Sequence, residues 1–171
     1  MTVEVFEKTG TAAPRSRLLD LSAGLSVSCL LAAALTMAGI SVAPTAAADD
    51  TENLRAAVAA SRPPTCEPLR SDPIIDQAAL GINRTTDRWI NHEARAVPET
   101  DALPVLKDLG YGGSKASILS GAATDPGNAI KVTILQGFKL LPDCSFSDFG
   151  VSTLYNAKKN MILTTVVLAT P

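Results

Sequence analysis

The chain has 171 residues, 15 Lys and Arg against 17 Asp and Glu, a formal net charge of −2 at pH 7, and one histidine. No basic block is present, which excludes nucleic acid as a partner, because phosphate binding needs clustered Lys and Arg. The cysteines and the lone histidine are scattered along the chain without ligand spacing, so neither a metal nor a cofactor is implied.

The first 48 residues read as an export segment rather than as part of a fold. Arg15 and Arg17 precede an uncharged run from Leu21 to Ala48, densest in apolar residues over Cys29–Ala38, and the run ends in Ala46-Ala47-Ala48 before Asp49-Asp50. A basic n-region, an apolar h-region and an A-x-A site make a secretory signal peptide. The alternative is an uncleaved anchor, since an uncharged run of this length can span a bilayer. Cys29 is not read as a lipid-modified cysteine: the apolar run continues past it, and Ser26 stands where bacterial lipoprotein signals usually carry Leu. Cleavage after Ala48 leaves a single domain, 49–171, large enough to bury roughly two-thirds of its unfolded surface. It retains Cys66 and Cys144, and two cysteines in an exported chain are expected to be bridged.

Asp50 or Thr51 is the expected cap of a first helix reaching Ser61, with Leu54, Ala57 and Val58 on one face. Arg62-Pro63-Pro64 ends it, and the prolines keep Thr65–Arg70 extended. Ser71 or Asp72 caps a second helix with Pro73 at its first position. Ile74, Ile75, Ala78, Ala79 and Ile82 give that helix a well-formed apolar stripe. Thr85 or Thr86 restarts a helix through Trp89 and Ile90 to about Ala94. Pro104 opens a short helix over Val105–Leu109, closed by Gly110. Lys115–Ser120 is a short strand. Asp125-Pro126 starts a further helix with Ile130, Ile134 and Phe138 on one side, broadened by Val132 and Leu135.

The last thirty residues read as a hairpin: Phe149–Tyr155, a polar turn over Asn156–Asn160, and the run Met161–Ala169. In that run Ile162, Thr164, Val166 and Leu168 point one way and Met161, Leu163, Thr165, Val167 and Ala169 the other. A strand apolar on both faces must be covered on both. Segregated helices and strands predict an α+β domain in which a small antiparallel sheet is covered by helices.

The order of several short motifs is similar to bacterial SCP-like domains of the CAP superfamily (cysteine-rich secretory, antigen 5 and pathogenesis-related proteins). They are Cys66-Glu67-Pro68-Leu69-Arg70-Ser71-Asp72-Pro73 with the following Ala78-Ala79, then Gly110-Tyr111, then Phe146-Ser147-Asp148-Phe149-Gly150-Val151. The resemblance covers nearly all of 51–169 and implies an α-β-α sandwich. It also implies a shallow cleft, which in many members holds two His and two Glu and in some a divalent metal. Here that set is mostly missing. His92 falls near the first family histidine, with Glu93 beside it. Ala116 and Ser117 occupy the place of the family's Glu-Asn. The second histidine falls near Gly137, and no glutamate lies between Asp125 and Gln136. The remnant cleft therefore consists of His92, Glu93, Ala116 and Ser117, with no metal expected.

A catalytic nucleophile needs a base beside it, and His92 is the sole imidazole. No catalytic residue is assigned. His92 reads as a partly exposed residue on a polar helix end, and Asp72, Asp76, Asp125, Asp143 and Asp148 as caps and turn residues. Gly110–Lys115 lacks phosphate-loop spacing. Asn83-Arg84-Thr85 is a glycosylation sequon in a eukaryotic secretory pathway. Lys158 and Lys159 are turn solubilisers. The expectation is a secreted, non-enzymatic CAP-like domain that binds a small apolar ligand (a lipid or a sterol), an envelope component or a protein. A hydrolase built on His92 with Ser117 or Ser120, and a structural envelope protein without a ligand, are the alternatives.

Overall fold

The computed structural model describes residues 45–171, so the export segment expected over 1–48 lies outside the described residues up to position 44. The elements in order are α1 (Thr45–Ala60), β1 (Arg70–Ser71), α2 (Pro73–Ile90), α3 (Leu103–Asp108), β2 (Lys115–Ala123), α4 (Pro126–Gln136), β3 (Asp148–Asn156) and β4 (Met161–Thr170). Helix α1 begins upstream of the expected Asp50 or Thr51 cap, because the alanines of Ala46–Ala48 have the highest helix propensity of any residue type. Among the described residues no helix is long and apolar enough to cross a membrane.

Two helices start as the sequence predicts. Asp72 Oδ1 accepts from the backbone N–H of Ile74 at 2.7 Å, and Asp125 Oδ1 from that of Asn128 at 2.9 Å, each with a proline at the next position. The expected restart at Thr85 or Thr86 does not occur. Both hydroxyls donate back to the Ile82 carbonyl, at 2.8 and 3.0 Å, as threonines inside a helix do, and α2 runs unbroken to Ile90.

The sheet has the order β1-β3-β4-β2. Strands β3 and β4 form the hairpin, from Asp148↔Ala169 to Asn156↔Met161, and β2 pairs antiparallel with the other edge of β4 from Lys115↔Thr170 to Ala123↔Ile162. The two-residue β1 runs parallel to β3, so the sheet is mixed, not purely antiparallel as expected. Its length is limited by Pro68 before it and the Asp72-Pro73 cap after it.

Strand β4 is central, and its alternation sorts the helices into two layers. On one face Val166 and Leu168 pack with Leu119, Phe149 and Val151 against Leu54 and Val58 of α1, with Ile130 and Ile134 of α4 alongside. On the other face Val167 and Ala169 pack against Ile75, Ala78, Ala79 and Ile82 of α2 and Leu106 of α3. The result is an α+β domain with α-β-α layering. Each fully buried Leu, Ile, Val or Phe in these layers contributes about 1.5–3 kcal/mol relative to exposure. The stripe expected of α4 is narrower than predicted: Val132, Leu135 and Phe138 are exposed, because the helix ends at Gln136 and its core face is Ala129, Ile130, Thr133 and Ile134.

Cys66 and Cys144 form a disulfide with Cα atoms 5.1 Å apart. Arg62 fastens the same corner, donating to the carbonyls of Leu141 and Asp143, each at 2.9 Å, and of Phe146.

Candidate functional site

The four remnant-cleft residues are not brought together. Ala116 and Ser117 pair with Ala169 and Leu168 at one end of β4. His92 and Glu93 lie by the hairpin turn at the other end, where Glu93 pairs with Lys158 and Asn156 Nδ2 donates to Asn91 Oδ1 at 3.2 Å. The length of β4 between them is roughly 27 Å at about 3.4 Å per residue.

The local backbone explains His92. It is exposed at φ 59°, its N–H donates to the Trp89 carbonyl at 2.9 Å, and the Glu93 N–H donates to the Arg88 carbonyl at 2.8 Å. These are the paired bonds of a Schellman helix end, with His92 in the left-handed position that glycine usually fills. Gly110, at φ 88°, closes α3 in the same way: its N–H donates to Lys107 and that of Tyr111 to Leu106. Lys158 acts as more than a solubiliser, and its hydrogen bond lowers the Glu93 pKa.

Other carboxylates serve the fold. Asp148, read as a turn residue, is buried at the start of β3, where Arg70 Nε donates to Oδ1 at 2.8 Å and the Tyr111 hydroxyl to Oδ2 at 2.7 Å. Burial, and then this bond to Asp148, push the Tyr111 phenol well above its usual range. Asp76 accepts from the Val151 N–H at 2.8 Å and pairs with Arg55 at 3.1 Å, so it closes part of the outer edge of β3 beyond β1. Gln136 does the same for β2 by accepting from the Ser120 N–H. Capped edges resist pairing with other chains.

A hollow of about 320 Å³ lies beside the β3 edge, between α1 and α2, and Arg55 and Asp76 line it. A second groove, of about 350 Å³, crosses the β2 edge between the C-terminal half of α2 and Val132 of α4. Its lining is Asn83, Thr86 and Ile90 of α2, Ser120, Gly121 and Ala122 of β2, Leu163, Thr164 and Thr165 of β4, and Val132. No titratable side chain is among them. The groove reaches Ile90, two residues before His92, and it includes Ser120. Ser117 lies on the opposite face of β2, because side chains alternate. Among the described residues, no hydrogen bond joins His92 to either serine, and no group of three His, Cys, Asp or Glu is arranged to hold a metal.

The polar part of the groove is built by strand register. Thr165 stands between Ser120 of β2 and Ser152 of β3, one hydroxyl rank across the sheet beneath α2. Asn83, 1 % exposed, donates through Nδ2 to the Ser152 carbonyl, the Ser152 hydroxyl and the Leu163 carbonyl, each at 3.2 Å. Two carbonyl acceptors fix which end of the amide is nitrogen. Burial also removes Asn83 as a glycosylation acceptor in the folded chain. Thr165 is likewise 1 % exposed. On the other face, Thr164 meets the Thr133 hydroxyl at 2.6 Å, and Gly121 lets α4 approach, since a Cβ there would lie 2.3 Å from Thr133 Oγ1.

Among solved structures, the chain is similar to an outer surface protein from Borrelia burgdorferi, with a TM-score of 0.56 and 11% sequence identity over 71% of this chain and 92% of that one. No family model matches the chain. No curated protein matches it. The likeness in backbone at this identity establishes a shared α+β fold.

Proposed function

We propose that the chain is an exported CAP-like domain that acts by binding a small apolar ligand in the groove across the β2 edge. The observation that carries the reading is the chemistry of that groove: a concave surface of aliphatic and hydroxyl side chains and one amide, without an acid, a base or a cation. Such a lining holds a ligand and offers no group to transfer its protons. The Cys66–Cys144 disulfide fits an oxidising compartment, as does an export signal in the first 48 residues. The protein that shares the fold is described as an outer surface protein, which fits an extracytoplasmic or envelope location. The motif order around Cys66, Gly110-Tyr111 and Gly150-Val151 supports CAP-like descent.

The purified protein is expected to take up the neutral apolar dye N-phenylnaphthylamine at one site, and Ala122→Phe, which fills the groove, to abolish uptake. Absence of uptake by the unaltered protein favours a structural envelope protein instead. The hydrolase alternative is tested with His92→Gly. Peptide or ester hydrolysis that survives repurification and falls by orders of magnitude in this variant overturns the binding role.

A further inference from the structure

Three polar groups of the groove are uncommitted. Both hydrogens of the Asn83 amide are used by Ser152 and Leu163, while its Oδ1 accepts from no described residue. The hydroxyls of Thr165 and Ser120 likewise have no partner among the described residues, although Thr165 is almost fully buried. The other described residues satisfy their buried polar side chains almost completely: Ser147 Oγ is the one described side-chain atom that is both fully enclosed and unpaired. A pinned acceptor beside two rotatable hydroxyls is thus a local exception, and it lies in the groove.

A second observation concerns α4. Val132 lines the groove, and Leu135 and Phe138 follow at spacings of three residues, 61% and 66% exposed. An apolar strip therefore leads from the groove onto the surface.

Resting on the binding role proposed above, we infer that the ligand is an uncharged single-chain amphiphile with an alcohol head group. Its hydroxyl donates to Asn83 Oδ1 and accepts from the hydroxyl of Thr165 or Ser120, and its hydrocarbon chain leaves the groove past Val132 along Leu135 and Phe138. Asn83 Oδ1 can only accept, so the head group must donate. No cation lines the groove to offset a buried carboxylate, so a fatty acid anion is disfavoured. The volume is near the lower end of the roughly 300–1,000 Å³ of small-molecule pockets, which suits the head and first carbons of one chain.

Calorimetric titration of the purified protein with decanol, decyl methyl ether and decanoate tests this. The three share a chain and differ in the head group. Decanol is expected to bind about tenfold tighter than the ether, which leaves Asn83 Oδ1 without a donor, and at least about tenfold tighter than decanoate. Thr165→Val combined with Ser120→Ala is expected to weaken decanol and the ether alike, because both oxygens accept from those hydroxyls, and Phe138→Ser to weaken all binding without changing the order. Equal affinity for decanol and the ether, or tightest binding of decanoate, overturns the alcohol head group and leaves apolar binding standing. Failure of all three to bind overturns both.

Discussion

At the scale of single residues, the structure separates side chains that hold the backbone from those facing the groove. His92 holds a helix end in the left-handed region, which costs an L-residue about 1–2 kcal/mol, part of which glycine returns through its greater freedom in the unfolded chain. The His92→Gly variant, which tests the hydrolase alternative, is therefore expected to be up to about 1 kcal/mol more stable in urea denaturation. Asp143 gives the pH dependence. The hydrogen bond from Lys115 Nζ at 2.8 Å, followed by that from the Ser145 N–H, holds its carboxyl below the ordinary carboxylate range. The unfolded carboxyl takes up its proton near pH 4 and the folded one only at lower pH. Stability from this group is thus present above about pH 4 and lost as pH falls below it. Acid titration followed by circular dichroism is expected to show a shallower loss of stability below about pH 4 in Asp143→Asn than in the unaltered protein.

At the scale of elements, close approach of helix to sheet depends on Gly121 beneath α4 and Gly150 beneath α2. A Cβ on Gly150 would lie 2.2 Å from the Asp76 backbone nitrogen and 2.3 Å from the Ile75 carbonyl carbon. Rigid backbone cannot yield as a flexible side chain can. Gly150→Ala is expected to push α2 off β3 and to cost at least about 1–3 kcal/mol, measured by urea denaturation. Gly112 has open space around it, so Gly112→Ala serves as a control with a small effect. The capping signals at Asp72-Pro73 and Asp125-Pro126 are local and were legible, as were the period-two strands of the hairpin. The continuity of α2 was not: Thr85 and Thr86 suit a cap as well as an interior position, and only the Ile82 carbonyl decides between them. Asp148 shows the same ambiguity, because a turn aspartate and a buried one look alike until Arg70 and Tyr111 converge on it.

At the scale of the whole molecule, the disulfide joins the segment after α1 to the turn before the hairpin, across a sequence separation of 78 residues. In the chain-entropy account a loop of this length is worth about 4–5 kcal/mol. Replacing both Cys66 and Cys144 by Ser is expected to lower Tm by more than about 10 °C in a calorimetric scan. Uptake of N-phenylnaphthylamine, the test of the proposed binding role, is expected to be the same in that variant as in the unaltered protein at temperatures where it remains folded, since neither cysteine lines the groove.

The amino-acid sequence by itself determined the α+β class, the two-faced central strand, the caps of α2 and α4 and the pairing of the two cysteines of the domain. Each rests on short-range stereochemistry or on the count of residues. The groove was legible only in part: the sequence singled out Ser120 as a nucleophile of the hydrolase alternative, and it grouped His92 with Ala116 and Ser117, which stand at the far end of β4. Asn83 carried a sequon signal, whereas its function in the fold depends on burial. Only tertiary structure decided the groove. Register brings Ser120 and Ser152 to either side of Thr165, and the packing angle of α2 sets Asn83 above them. Those relations are fixed by strand pairing and by which glycines admit a helix, and they leave no periodic trace along the chain.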